Sequence, residues 1–214
     1  MSLSRPRAVL FDWDNTLVDN WGAIRGALNA ALREFGQTEW TLDQVHARVR
    51  RSLRETFPEI FGAEWARARE IFYKSFEAGH LEALAALPQA ADLLAAIDVP
   101  KAVVSNKQGR LLRREAEFLG WSGQFHRLVG AGDAERDKPD PAPFDLARVG
   151  LELHEKDVVW YVGDTGLDMQ GAHGSSCVPI LVGNGMGDDL LLERYPPALR
   201  VPDLGGLLGV WRGL

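Results

Sequence analysis

From about residue 100 onward, short apolar runs alternate with amphipathic stretches, and nothing else in the chain restricts its fold as strongly. KAVVSN reads as a strand and RLLRREAEFLG as a helix, RLVGAG as a strand and PAPFDLARVGL as a helix. VVWYVGD and TGLDMQGAHGSS repeat the pattern, and VPILVGNG reads as the last full strand. Apolar runs of this length fit strands buried on both faces, whereas the stretches between them keep a helical period. Strands joined through helices lie parallel, and the helices cover both faces of the sheet.

One more strand precedes this series, at residues 7 to 11, and a helical block separates the two. Ile24, Ala27, Leu28, Ala31, Leu32 and Phe35 keep one apolar face, and Gly36 is a stop signal. Thr41 is placed to cap a second helix carrying Leu42, Val45 and Val49. GAEWARAREIFYKSFEAGHLEALAAL reads as one or two further helices, with Ile71, Phe72 and Phe76 inward. A helix is expected from Pro88 to Ile97, with proline at an early, harmless position. The expected architecture is α/β: a Rossmann-like doubly wound parallel sheet with an inserted α-helical cap. Residues 1–19 and 86–214 form the core, and residues 20–85 form the cap.

Composition narrows the classes of partner. A net charge of -6 and a pI near 5.4 argue against a nucleic-acid backbone as the main partner. Cys177 is the single cysteine, which rules out an internal disulfide and fits a reducing compartment. No long apolar stretch reads as a membrane span, and MSLSRPR has no apolar signal segment. A cytoplasmic protein, monomeric or a weak dimer, is the expectation.

The strand ends carry the chemistry. LFDWD ends in Asp12 and Asp14, AVVSN in Ser105 and Asn106, and YVGD in Asp164, with Asp168 four residues on. Lys138 follows the strand RLVGAG in DKPDP. Ligands of a doubly wound sheet bind outside the carboxyl ends of its strands, so these residues are expected to converge. Acids at a strand end can simply be solvated, and Asp164 and Asp168 also suit a helix N-terminus. Their joint pattern points further. Carboxylates without a histidine or cysteine ligand set suit a hard, oxygen-liganded cation such as Mg²⁺. A lysine, a hydroxyl and an amide suit phosphate oxygens. One carboxylate can attack phosphorus, and a second can protonate the leaving oxygen and then activate water. Trp13, between the aspartates, should point away from them because strand side chains alternate.

In order, DWDNTLV, VVSNK, DKPDP and VGDTGLD resemble the motifs of the haloacid dehalogenase superfamily, on its phosphoglycolate phosphatase-like branch with a helical cap after the first motif. The resemblance runs from about residue 7 to 185. It implies that Asp12 is the nucleophile and Asp14 the general acid/base, whose main-chain carbonyl also reaches the metal. It implies that Ser105 and Asn106 cradle phosphate, that Lys138 neutralises the nucleophile and the phosphoryl group, and that Thr16 orders the phosphate end. Asp164 is then a direct metal ligand, and Asp168 acts as a ligand, through water or through a hydrogen bond. The family's dehalogenases need neither an acid at position 14 nor a metal, so Asp14 favours phosphate chemistry. Asn15 stands where many members have glycine, and Ser105 replaces a common threonine.

The expected function is Mg²⁺-dependent hydrolysis of a small phosphate monoester through an aspartyl phosphate, with a small phosphorylated metabolite as partner. The substrate stays open among phosphoglycolate, a sugar phosphate and a nucleotide. A phosphomutase of the same superfamily is one alternative, kept alive by Arg50, Arg51 and Arg54. A non-catalytic, receiver-like phosphate-binding module is another, although receivers lack an inserted cap. A phosphonatase would need a cap lysine, and Lys74 reads as mid-helix. GNGMGDD lacks the spacing of a dinucleotide loop, and the scattered histidines have no ligand spacing.

Overall fold

The computed structural model describes residues 3–49, 53–185 and 189–214, with side chains omitted at 53–55. Arg50 and Arg51, the Arg54 side chain and positions 186–188 of the GNGMGDD stretch lie outside the described residues.

The elements in chain order begin with β1 (Ala8–Phe11), β2 (Val18–Asp19), α1 (Trp21–Glu34), α2 (Leu42–Arg48), α3 (Leu53–Phe61), α4 (Trp65–Ala83) and β3 (Ala85–Ala86). They continue with α5 (Ala90–Ala96), β4 (Lys101–Gln108), α6 (Gly109–Phe118), β5 (Arg127–Ala131), α7 (Ala142–Arg148), β6 (Val159–Gly163) and α8 (Gly166–Gly174). The last are β7 (Val178–Val182), α9 (Asp189–Arg194), β8 (Leu199–Val201) and α10 (Leu204–Arg212). The chain divides into two compact units, Met1–Val18 with Ala86–Leu214, and Asp19–Ala85.

The first unit is a six-stranded sheet in the order β5-β4-β1-β6-β7-β8, and each neighbouring pair is parallel. From β1 the chain steps outward through β4 to β5, then returns to fill β6, β7 and β8 on the other side. The order reverses between β1 and β6, which is the switch point of a doubly wound sheet. All of β1 is buried, as a central strand covered on both faces must be. On one face Ala8, Leu10, Val104, Val129, Val159 and Tyr161 pack with Phe144 and Ala147 of α7 and Ala172 of α8. Each fully buried valine, leucine or phenylalanine there contributes about 1.5–3 kcal/mol. Cys177 is part of this core.

Phe11 is level with Val103 on β4 and Val162 on β6. The Asp12 amide continues the ladder, donating to the Val162 carbonyl at 2.8 Å. Asp12 therefore leaves the sheet at the switch point, one residue short of Asp164. The next turn needs a left-handed residue, and Asn15 supplies it at φ 61°. Asparagine adopts this conformation more readily than most residues. The turn closes through Asn15 N–H to the Val18 carbonyl at 2.7 Å and Leu17 N–H to the Trp13 carbonyl at 2.9 Å.

The second unit is helical. α1 and α3 each pack on α4. α4 is one continuous helix that buries Ala68, Phe72, Phe76 and His80, four residues apart, while Ile71 is half-buried. Phe57 lies against Phe61 and Phe72 with ring centroids 5.2 and 5.5 Å apart, so this core is largely aromatic. Thr41 caps α2 in a reciprocal capping box with Gln44. Gly36, at φ 64°, terminates α1.

Three local expectations need correction. The helix expected from Pro88 begins at Ala90, because Gln89 is left-handed at φ 61° and the Ala90 amide bonds to the Leu87 carbonyl. Pro88 and Gln89 thus occupy the two central positions of a turn of type II. β4 runs to Gln108, past the expected end at Asn106, with a register irregularity between Val104 and Gln108. β8 adds a strand after VPILVGNG; three residues at a sheet edge are too short for a periodic signal.

Candidate active site

Four of the expected residues meet beyond the carboxyl ends of β1 and β6. Asp12, Asp164 and Asp168 each offer a carboxylate oxygen, and these oxygens lie within 4.8 Å of one another. All three residues are buried. Lys138 stands among them, its Nζ 2.8 Å from Asp12 Oδ1 and 2.8 Å from Asp168 Oδ1. It also donates to the Tyr161 hydroxyl at 2.8 Å. That hydroxyl has one proton for two acceptors, the Val104 carbonyl at 2.9 Å and Asp168 Oδ1 at 3.0 Å.

Local structure sets each of these groups. Asp168 is the third residue of α8 and forms a reciprocal capping box with Thr165. Its Oδ2 accepts from the Thr165 amide at 3.0 Å and the Thr165 hydroxyl at 2.6 Å. Both Asp168 oxygens are therefore engaged by the protein. Gly163 makes room for it: a Cβ there would lie 2.4 Å from the Asp168 Cβ. Asp164 Oδ1 accepts from the buried Thr16 hydroxyl at 3.0 Å. Asn106 grips the backbone of Lys138, accepting from its amide at 2.9 Å and donating to its carbonyl at 3.1 Å. Ser105 is buried, and its Oγ accepts from the Lys107 amide at 3.3 Å.

The charges do not balance. Three buried carboxylates face one ammonium, and burial penalises every charge left uncompensated. Burial, opposed by Lys138 and reinforced by Asp168, pushes the Asp12 carboxyl up to about 6. Burial together with Asp168 and Asp12 pushes Asp164 well above the usual carboxylate range. Asp168 is also penalised by burial, but the charge and hydrogen bond of Lys138 outweigh this and hold it low. Burial pulls Lys138 down, and Asp12 and Asp168 more than reverse that, so it stays protonated. The cluster lacks positive charge, and its donors are oxygens alone. A hard divalent cation such as Mg²⁺ fits that donor set. Asp12 and Asp164 are the side chains best placed to accept it, because Asp168 is already engaged.

The Asp14 side chain belongs to a different group. Its Oδ1 accepts from Lys107 Nζ at 2.7 Å, and Lys107 also donates to Glu115 at 2.9 Å. Glu115 is wholly buried on α6 and takes the Trp13 indole N–H at 2.7 Å. The Trp13 ring is fully buried, edge-on to Trp121 with centroids 5.9 Å apart. Lys107, Glu115 and Tyr161 were not among the residues singled out from sequence. A signal existed for Glu115, which lies three and four residues beyond Leu112 and Leu111 and so shares their buried helix face.

The protein-family model for haloacid dehalogenase-like hydrolases matches residues 9–182, and the chain belongs to this family. It falls with the phosphoglycolate phosphatase-like members. A phosphoglycolate phosphatase from Xanthomonas campestris pv. campestris is 32% identical, over 92% of this chain and 96% of its own length. One from Chromobacterium violaceum is 28% identical, over 88% of this chain and 90% of its own. Among solved structures, a haloacid dehalogenase-like hydrolase from Streptococcus pneumoniae superposes with a TM-score of 0.84 at 21% identity, covering 95% of this chain and 97% of that one. That likeness speaks to the fold. No described helix is long and apolar enough to cross a membrane.

Proposed function

We propose that this chain is a Mg²⁺-dependent phosphatase that hydrolyses a small phosphate monoester through an aspartyl phosphate on Asp12. The chain is a phosphoric monoester hydrolase, the class of its phosphoglycolate phosphatase relatives. The observation that carries the finer reading is the Asp12 carboxylate at the switch point, 2.8 Å from the Lys138 ammonium and beside two further buried carboxylates.

In this reading Asp12 attacks phosphorus while Lys138 steadies the nucleophile and offsets charge on the phosphoryl oxygens. The bond from phosphorus to the ester oxygen breaks, and Asp14 gives that oxygen a proton. Water then attacks phosphorus and passes a proton to Asp14, the bond to Asp12 breaks, and orthophosphate leaves. Asp12, Asp164 and the Asp14 main-chain carbonyl would hold Mg²⁺, which when bound supplies positive charge to the phosphoryl oxygens. Asp168 serves by fixing Lys138. Thr16 acts by orienting Asp164 and Asn106 by orienting Lys138, while Ser105 offers its hydroxyl to phosphate. We assign residues 1–19 and 86–214 as the catalytic core and 20–85 as the cap. The reading places the protein in the cytoplasm, with a small phosphorylated metabolite as its partner.

The test is phosphate release from a panel of monoesters, phosphoglycolate first, with Mg²⁺ and with excess chelator. Metal-dependent release that Asp12→Asn reduces to background supports the reading. Full activity in Asp12→Asn, or release indifferent to chelator, ends it.

A further inference from the structure

The aspartates of DWD are divided between two ammonium groups, and the second has no part in the mechanism above. Lys107 Nζ lies 2.7 Å from Asp14 and 2.9 Å from Glu115. The Trp13 indole reaches the same Glu115 at 2.7 Å. Trp13 and Asp14 are adjacent, so these contacts close a ring: Trp13 to Glu115, Glu115 to Lys107, Lys107 to Asp14, and back along the chain. The ring lies deep at one end and opens at the other. The Glu115 side chain is 0% exposed, that of Lys107 5% and that of Asp14 24%.

Two features argue that this is more than a solvated ion pair. Buried ion pairs contribute little net stability relative to apolar replacements, so stability alone is a poor reason for one. The β4 ladder also shifts register between Val104 and Gln108, the stretch that contains Lys107. Irregularities of this kind re-aim side chains beside functional sites.

We propose that Lys107, anchored by Glu115, is a positioning residue that holds the Asp14 carboxylate in place for the hydrolysis of the phosphorylated enzyme. The proposal rests on the reading of Asp12 as nucleophile and Asp14 as acid and base. A carboxyl group held at a fixed position meets the attacking water without first having to reorient. In that step the water oxygen bonds to phosphorus, its proton passes to Asp14, and the bond from phosphorus to the Asp12 oxygen breaks. Lys107 touches none of the reacting atoms. It fixes Oδ1 of Asp14, and Glu115 keeps the ammonium from swinging toward the acids around Lys138.

The experiment compares wild type, Lys107→Met, Glu115→Gln and Asp14→Asn, all with Mg²⁺ and p-nitrophenyl phosphate, whose leaving group needs no proton. General acid–base catalysis is worth about 10²–10⁴-fold, so a misplaced base should lower kcat by roughly 10–100-fold. In Lys107→Met the fall should be confined to the second step. KM then falls with kcat, kcat/KM stays within about threefold, and acid-quenched protein carries a phosphoryl group on Asp12. Release of p-nitrophenolate shows a burst matching the enzyme concentration. Glu115→Gln should show the same pattern more weakly, and it decides the matter if Lys107→Met does not fold. The proposal is overturned if kcat/KM falls as far as kcat without phosphoenzyme accumulating, or if neither constant moves. Asp14→Asn separates the levels. If it accumulates phosphoenzyme and the Lys107 and Glu115 variants do not, the positioning role alone fails. If Asp14→Asn does not accumulate it either, the assignment of Asp14 is wrong.

Discussion

Two lysines whose side chains are almost covered stand at the carboxyl end of the sheet, and they live in different company. Lys138 bonds Asp12 and Asp168 with a third acid, Asp164, close by, so its cluster is short of positive charge. Lys107 bonds Asp14 and Glu115, and Glu115 is further satisfied by the Trp13 indole. The first arrangement has the surplus of acid that the proposed Mg²⁺ site needs. The second is a closed ring that fixes one side chain. A lysine count says nothing about this; the surplus of acid around each does.

The largest expected difference is in turnover. Lys138→Met should reduce phosphate release to background, because nucleophile and phosphoryl group lose their shared counter-charge, whereas Lys107→Met should retain measurable turnover. Equal losses in the two variants, read from initial rates at saturating substrate, would erase the distinction.

Stability with and without metal comes next. Ligand present at one hundred times its Kd stabilises the folded state by about 2.7 kcal/mol. Thermal melts should show such a gain on adding Mg²⁺ to wild type and to Lys107→Met, and little of it in Asp164→Asn. A gain missing from Lys107→Met would place the metal partly in the second cluster.

The cluster around Lys138 should also respond to pH. The folded Asp12 carboxyl is raised to about 6, above an ordinary unfolded value of about 4. Between those values the folded state holds more protons than the unfolded one. Stability in chelator should therefore fall as pH rises through that window. Denaturant midpoints should record the fall in wild type and a smaller one in Asp12→Asn.

Smaller again is Tyr161→Phe, which removes a hydroxyl that bridges Lys138, Asp168 and the Val104 carbonyl. Leaving such buried groups unsatisfied costs about 1–3 kcal/mol. The loss should appear in urea midpoints and leave the Lys107 ring untouched. The smallest change is Asn15→Gly. Glycine adopts the φ of 61° without strain, so stability and turnover should stay close to wild type.

Much of this was legible in sequence because sheet topology does the gathering. Asp12 and Asp164 directly follow strands, Ser105 lies within β4 and Lys138 in the loop after β5, and parallel strands bring their carboxyl ends to one edge. The Asp12 region needed no knowledge of packing. Glu115 and Tyr161 were harder for opposite reasons. Glu115 stands in the charged run RREAEF, and only its spacing from Leu111 and Leu112 places it on the buried helix face. Tyr161 sits mid-strand with ordinary alternation and reads as core, and its ring is core; the hydroxyl at its far end is what reaches Lys138. Lys107 was hidden by the β4 irregularity, which re-aims side chains in a way that strand periodicity does not encode. Pairings of this kind depend on tertiary geometry, and one sequence carries no mark of them.

Gly163 contributes no functional group, yet the Asp168 side chain occupies the space where its Cβ would be. A saturating mutational scan read out by activity should therefore find position 163 as intolerant as position 12. One is constrained by the chemistry proposed for it, the other by the room it leaves. Ranked by such a scan alone, the two would look equally catalytic, and an engineer redesigning substrate preference should hold both constant.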